Sequence, residues 1–122
     1  MHMKLFDVGM TRRQDGSITL ALSGELDLST LDQLETAVDG GLDGAATVVL
    51  DLRELTFLDS SGLRAMLALQ AGQREKGGRL VLVRGPRRVH RVLELTKADE
   101  ELEIVSDPAE IGDERDVSTE PG

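Results

Sequence analysis

Residues 47 to 64 read Thr47-Val48-Val49-Leu50-Asp51-Leu52-Arg53-Glu54-Leu55-Thr56-Phe57-Leu58-Asp59-Ser60-Ser61-Gly62-Leu63-Arg64. The first six residues are apolar and largely β-branched, with Asp51 as the one charge, which is the composition of a strand buried on both faces. At Phe57-Leu58 the apolar character stops on an acid, two hydroxyls and a glycine, a combination that opens helices. Any one of Asp59, Ser60 and Ser61 can accept a hydrogen bond from a free amide of the first turn, an interaction worth about 1 kcal/mol. After Gly62, Leu63, Met66, Leu67 and Ala71 mark an inward helical face that ends at Gly77-Gly78. A buried strand that feeds a helix predicts an α/β fold with parallel crossovers.

The same reading extends in both directions. Upstream, Phe6, Val8 and Met10 alternate, as do Ile18, Leu20 and Leu22, the period of strands with one buried face. Gln14-Asp15-Gly16-Ser17 between them is a hairpin turn. Gly24-Glu25-Leu26-Asp27 leaves the second strand, and Ser29 or Thr30 caps a helix in which Leu31, Leu34, Val38 and Leu42 face inward. Downstream, Leu80-Val81-Leu82-Val83 forms another central strand, Gly85-Pro86 opens a third helix, and Leu102, Ile104 and Val105 form a short edge strand. Ser106-Asp107-Pro108 starts one further turn. The expectation is a mixed sheet of four or five strands in ββαβαβα order with helices packed on it. It occupies one domain over residues 1–111. From 112 to 122 only Val117 is bulky and apolar, so an acidic, disordered tail is expected there.

Charge and composition exclude several classes of function. The net charge of -9 arises from Asp99 onward, where ten acids face only Arg115, while residues 1–98 hold thirteen acids and thirteen bases. With Phe6 and Phe57 as the only aromatic residues, the chain has neither the basic face nor the stacking platforms of a nucleic-acid binder. Arg84, Arg87, Arg88, Arg91 and Lys97 form a local basic run, read as a solvated helix face. There are 0 cysteines, which rules out disulfides and thiol chemistry and suits a reducing compartment. No run is apolar enough for a membrane helix and Met1-His2-Met3-Lys4 leads into no signal-type segment. These features predict a soluble, cytoplasmic protein.

Parallel second, third and fourth strands place their carboxyl ends on one sheet edge, where open α/β sheets carry their sites. Asp27, Asp59, Ser60 and Ser61 should therefore converge. Hydrolysis is not expected there: Gly-x-Ser-x-Gly is absent, and His2 and His90 are far apart in sequence, His90 reading as cover for the third helix. Asp51, Glu54 and Asp59 read as solvated acids rather than a metal site. No catalytic residue, cofactor or metal is expected.

Gly24-Glu25-Leu26-Asp27, Val48-Val49-Leu50-Asp51-Leu52 and Phe57-Leu58-Asp59-Ser60-Ser61-Gly62-Leu63 together resemble the STAS domains of bacterial anti-anti-sigma factors. The resemblance runs from about Phe6 to Val105. It implies a non-enzymatic, monomeric regulator that, when unphosphorylated, binds an anti-sigma factor serine kinase and so releases a sigma factor. It further implies that the kinase phosphorylates Ser60, with Ser61 the lesser candidate, and that a PP2C-type phosphatase reverses this. Asp27, Asp59, Ser60, Ser61 and Gly62 would form the partner-binding surface. An alternative within the same fold is a scaffold subunit of a stress-sensing complex. A small-molecule or lipid-transport accessory role is disfavoured by Asp59-Ser60-Ser61, since such relatives often lack the serine. The chain departs from the family after the third helix, where Thr96-Lys97-Ala98 carries no glycine or aromatic, and its final helix is reduced to the turn from Pro108 to Ile111.

Overall fold

The computed structural model describes residues 5–42 and 44–111; the expected tail, 112–122, lies outside the described residues. The strands are β1 (Phe6–Arg12), β2 (Ile18–Leu26), β3 (Thr47–Leu58), β4 (Arg79–Val83) and β5 (Glu103–Val105). The helices are α1 (Leu31–Gly41), α2 (Ser60–Glu75) and α3 (Arg87–Leu95), with short 3-10 turns at Ala98–Glu100 and Pro108–Glu110. Spatial order follows chain order from β1 to β5. β1 and β2 are antiparallel, and β2, β3, β4 and β5 are parallel neighbours. The expected mixed sheet is thus present with five strands.

Alternation places Ile18, Leu20 and Leu22 of β2, Val48, Leu50 and Leu52 of β3, and Leu80 and Leu82 of β4 on one sheet face. All three helices contribute to the same core: Leu34 from α1, Leu63 and Met66 from α2, Val89 and Leu93 from α3. On the opposite face Val49, Val81 and Val83 are also buried, which accounts for the near-continuous apolar composition of β3 and β4.

β3 is longer than its composition suggests. It continues through Arg53-Glu54-Leu55-Thr56-Phe57 to Leu58 instead of ending at Leu52, and β2 runs on through Gly24-Glu25-Leu26. The register explains why this escapes a period-2 reading. Ala21 pairs with Asp51 but Ser23 with Glu54, and Gly24 pairs with Leu55 but Glu25 with Phe57. Each shift inserts one extra residue into β3, and a bulge of this kind displaces the alternation by one position. The buried residues of the distal half are consequently Leu52, Leu55 and Leu58, three apart. Gly24 sits at the second shift with φ +91, a left-handed conformation that glycine adopts without penalty. A Cβ there would lie 2.0 Å from the Leu5 carbonyl oxygen.

The helices also differ in detail from expectation. α2 starts at Ser60, two residues before Gly62. Ala71 faces solvent, and the buried position below it is Gln73, whose Nε2 donates to the Ala45 carbonyl at 3.2 Å. Pro86 is the N-cap of α3 rather than its first residue. His90 lies on the buried face of α3, its Nε2 3.7 Å from the Glu94 carboxylate. At the end of α3 Lys97 takes the left-handed conformation at φ 63, the position where helices commonly end on glycine. Its amide donates to the Glu94 carbonyl at 3.1 Å, so the turn forms without the family's glycine.

β5 is a three-residue edge strand, and Arg79 of β4 is ion-paired with Glu103 across it; Nε donates to Glu103 Oε1 at 2.9 Å. This hydrogen bond, with the nearby charge, holds the Glu103 carboxyl below its usual value of 4.5 against the opposing effect of partial burial. A depressed folded-state pKa contributes stability above the unfolded value that is lost as pH falls through the folded one. Both side chains are partly exposed, so the pair is worth under about 1 kcal/mol. Urea midpoints of the wild type and Glu103→Gln should therefore differ slightly at neutral pH and converge once the pH is well below 4.5. A difference that persists in acid would assign the effect to packing.

Candidate functional site

The parallel register of β2 and β3 ends with Leu26 opposite Leu58. The next residues in each strand are Asp27 and Asp59, so two acids 32 positions apart in sequence leave adjacent strand ends. The Asp59 amide donates to the Leu26 carbonyl at 3.3 Å, and the Leu28 amide donates to Asp59 Oδ2 at 3.4 Å. The expected convergence of Asp27, Asp59, Ser60 and Ser61 is present at this edge.

The choice among three possible caps is decided by geometry. Asp59 is the N-cap of α2, with extended backbone, and its Oδ1 accepts from the Ser61 amide at 2.9 Å and the Gly62 amide at 3.0 Å. Two of the orphan amides of the first turn are thereby satisfied by a carboxylate that also complements the helix dipole. Ser60 is the first helical residue and exposed, and Ser61 is half-buried; neither hydroxyl is used as the cap. Gly62 is buried where the first turn of α2 meets the ends of β2 and β3. A Cβ on it would lie 2.6 Å from Leu58 Cδ1 and 2.8 Å from Leu26 Cγ, so glycine is required there by close approach.

Asp27 has a different role. It is 4 % exposed. Its Oδ1 accepts from the Ser29 amide at 2.9 Å and the Ser29 hydroxyl at 2.7 Å. The Thr30 hydroxyl donates to the Glu25 carbonyl at 2.7 Å and accepts from the Asp27 amide at 3.1 Å. Thr30 occupies the N-cap position of α1 without making a side-chain cap bond; it ties the loop back to β2 instead. Asp27 thus shapes the surface from beneath.

Two residues that sequence reasoning left without a role frame the site. Leu28 is 73 % exposed and Phe57 is 40 % exposed, and with Asp27, Ser29 and Asp59 they line a shallow depression at the strand ends. An apolar residue between Asp27 and Ser29, in a turn that gains nothing from one, was the available signal for Leu28. Among the described residues no group of three His, Asp or Glu side chains could hold a metal ion. Asp51 is held by Arg53 instead, with Nη2 to Oδ2 at 2.8 Å and Nε to Oδ1 at 3.0 Å, which lowers its pKa. It stands eight residues from Asp59, near the opposite half of β3. No hydrogen bond among the described residues links His90 to either serine.

These contacts set measurable costs. Asp59→Ala should destabilise the protein by about 1 kcal/mol, whereas Asp59→Asn, which can still cap, should lose less. Gly62→Ala should cost about 1 to 3 kcal/mol through overpacking. Both are read from denaturant midpoints, and a neutral Gly62→Ala would show that Leu26 and Leu58 can move aside.

A family model described as "Mlab, STAS domain" matches residues 10–106. The anti-sigma F factor antagonist of Paenibacillus polymyxa is 34% identical over 83 residues, covering 66% of this chain and 71% of that protein. The crystal structure of an anti-sigma factor antagonist from Mycobacterium paratuberculosis superposes with a TM-score of 0.68 at 25% identity, covering 86% and 89% of the two chains. SpoIIAA, a Bacillus cell-fate determinant, has the same fold in its unphosphorylated form, with a TM-score of 0.64 at 24% identity and coverage of 86% and 91%. Among the described residues no helix is long and apolar enough to cross a membrane. With these matches spanning the sheet and the edge that carries Asp27 and Asp59, the chain belongs to the STAS-domain family of anti-sigma factor antagonists, which are non-enzymatic regulators.

Proposed function

We propose that this protein binds an anti-sigma factor serine kinase through the edge formed by Asp27, Asp59, Ser60, Ser61 and Gly62, and that phosphorylation of Ser60 ends the interaction. Binding would withdraw the kinase from its sigma factor in the cytoplasm, and a PP2C-type phosphatase would restore the binding form. The protein acts as a monomer, with residues 1–111 as the regulatory domain and 112–122 appended to it.

The observation that carries this reading is the position of Ser60: exposed, first in α2, and beside a cap that does not use its hydroxyl. A kinase can reach it, and modifying it removes no bond from the fold. Ser61 is less accessible and its amide is held by Asp59, so it remains the lesser candidate. A phosphate brings a charge of about -1.5 to -2. The amides of Ser61 and Gly62 already serve Asp59, so the phosphate gains little from them and adds its charge to that carboxylate. In free solution water screens the pair. Against a partner surface fitted to a neutral hydroxyl, the charge would be poorly solvated, at a cost of about 2 to 5 kcal/mol, roughly 30-fold or more in affinity.

Ser60→Asp should accordingly weaken binding to the cognate anti-sigma factor kinase by roughly 30-fold or more. Ser60→Ala should bind regardless of ATP, and Ser61→Ala should still be phosphorylated. Calorimetric titration and an in vitro kinase assay with mass spectrometry read these outcomes. A Ser60→Ala variant phosphorylated as fully as wild type, with the phosphate mapped elsewhere, would falsify the assignment.

A further inference from the structure

Between α1 and α2 lies a cleft of about 400 Å³, walled on α2 by Ala65, Ala68, Leu69 and Gly72 and on α1 by the half-buried Val38. That volume falls within the roughly 300 to 1,000 Å³ of small-molecule sites, and the cleft shares no residue with the Ser60 edge. Ala65, Ala68 and Gly72 recur at i, i+3 and i+7, which is one face of a helix. Gly72 is the informative member of this wall. It stands inside a helix that runs from Ser60 to Glu75, where glycine is less favourable than alanine. Its backbone is not left-handed, and a Cβ on it would meet nothing within 4 Å, so the fold itself has no need of glycine there. What the glycine does is keep the wall of the cleft low.

The polar groups of the cleft are mainly acceptors. Gln73 lines it and is 3 % exposed. Its Nε2 donates to the Ala45 and Arg79 carbonyls at 3.2 and 3.4 Å, while its Oε1 accepts from no described residue. The exposed carboxylates of Glu35 and Asp39 stand on α1 at the rim. Both are unfavourable for α1 itself, being like charges four residues apart. Asp39 also sits in the last turn, at the negative end of the helix dipole, where α1 has no basic residue. Lys76 is the one cation among the described lining residues, and it makes no ion pair with either acid. Unpaired acids over an apolar floor, with a buried amide oxygen still able to accept, match a ligand that has an apolar body and a positively charged N–H head. We propose that this cleft binds an organic cation of that class, an alkylammonium or alkylguanidinium. Its chain lies against Val38, Leu69 and the low wall of Ala65, Ala68 and Gly72, and its head is held by the Glu35 and Asp39 carboxylates with Gln73 Oε1 as a further acceptor.

The probe is octylammonium below its micellar concentration, followed by amide chemical shifts of the full chain, with octanol and octanoate as controls. Octylammonium should give saturable shifts at Val38, Ala68 and Gly72, and octanoate none there. Glu35→Gln/Asp39→Asn should weaken octylammonium binding by roughly tenfold, to the level of octanol. Gly72→Leu fills the cleft and should abolish binding with a dispersed spectrum retained, whereas Gly72→Ala should raise the urea midpoint. Equal binding of octanoate, unchanged affinity in the Glu35→Gln/Asp39→Asn variant, binding that survives Gly72→Leu, or the absence of saturable shifts at millimolar probe overturns the proposal. A lowered midpoint for Gly72→Ala also overturns it, because the glycine then serves the fold. So do shifts at the same residues that appear on raising the protein concentration without probe, since the occupant is then a second copy of the chain.

Discussion

The parallel pairing of β2 with β3 and its closure at Leu26 and Leu58 is the constraint from which the candidate edge follows. Two bulges lengthen β3 relative to β2, and the Asp59 amide seals the pairing on the Leu26 carbonyl. The first turn of α2 then sits so close to both strand ends that only glycine fits at position 62. Without this closure Asp27 and Asp59 would leave the sheet at unrelated heights. The loop holding Leu28 would not be fastened to the cap of α2, and Ser60 would not face outward next to it.

Asp59 joins several demands in one side chain. One carboxylate oxygen caps α2 and the other receives the Leu28 amide, so helix start and neighbouring loop are held by a single group. A serine cap would have coupled phosphorylation to helix stability, since the modified oxygen would be the capping oxygen. With the cap assigned to aspartate, the Ser60 hydroxyl makes no capping bond, so the phosphorylation proposed for it would change surface charge while leaving the helix start in place. Under the proposed switch, stability and switching would be separated within three consecutive residues.

Charge is distributed with similar separation. The Ser60 edge has acids at its loop and apolar Leu28 and Phe57 at its rim, while the exposed arginines cluster on α3, beyond the shorter β4. β3 runs seven residues past its last pairing with β4 at Asp51, which carries the Ser60 edge beyond the end of β4.

What the sequence by itself determined is considerable. The strand and helix order, the mixed sheet and the core leucines and valines were legible because alternation and helical spacing are local properties of the chain. The meeting of Asp27 with Asp59 was also legible, because parallel crossovers force carboxyl ends to a common edge. The length of β3 was not, since its bulges convert a spacing of two into three, and bulges are a property of pairing with β2. Nor was the choice of Asp59 over Ser60 and Ser61 as cap, or of Gln73 over Ala71 as the buried residue of α2. Each of those depends on which neighbour lies within hydrogen-bonding distance, and only the packed tertiary structure decides that.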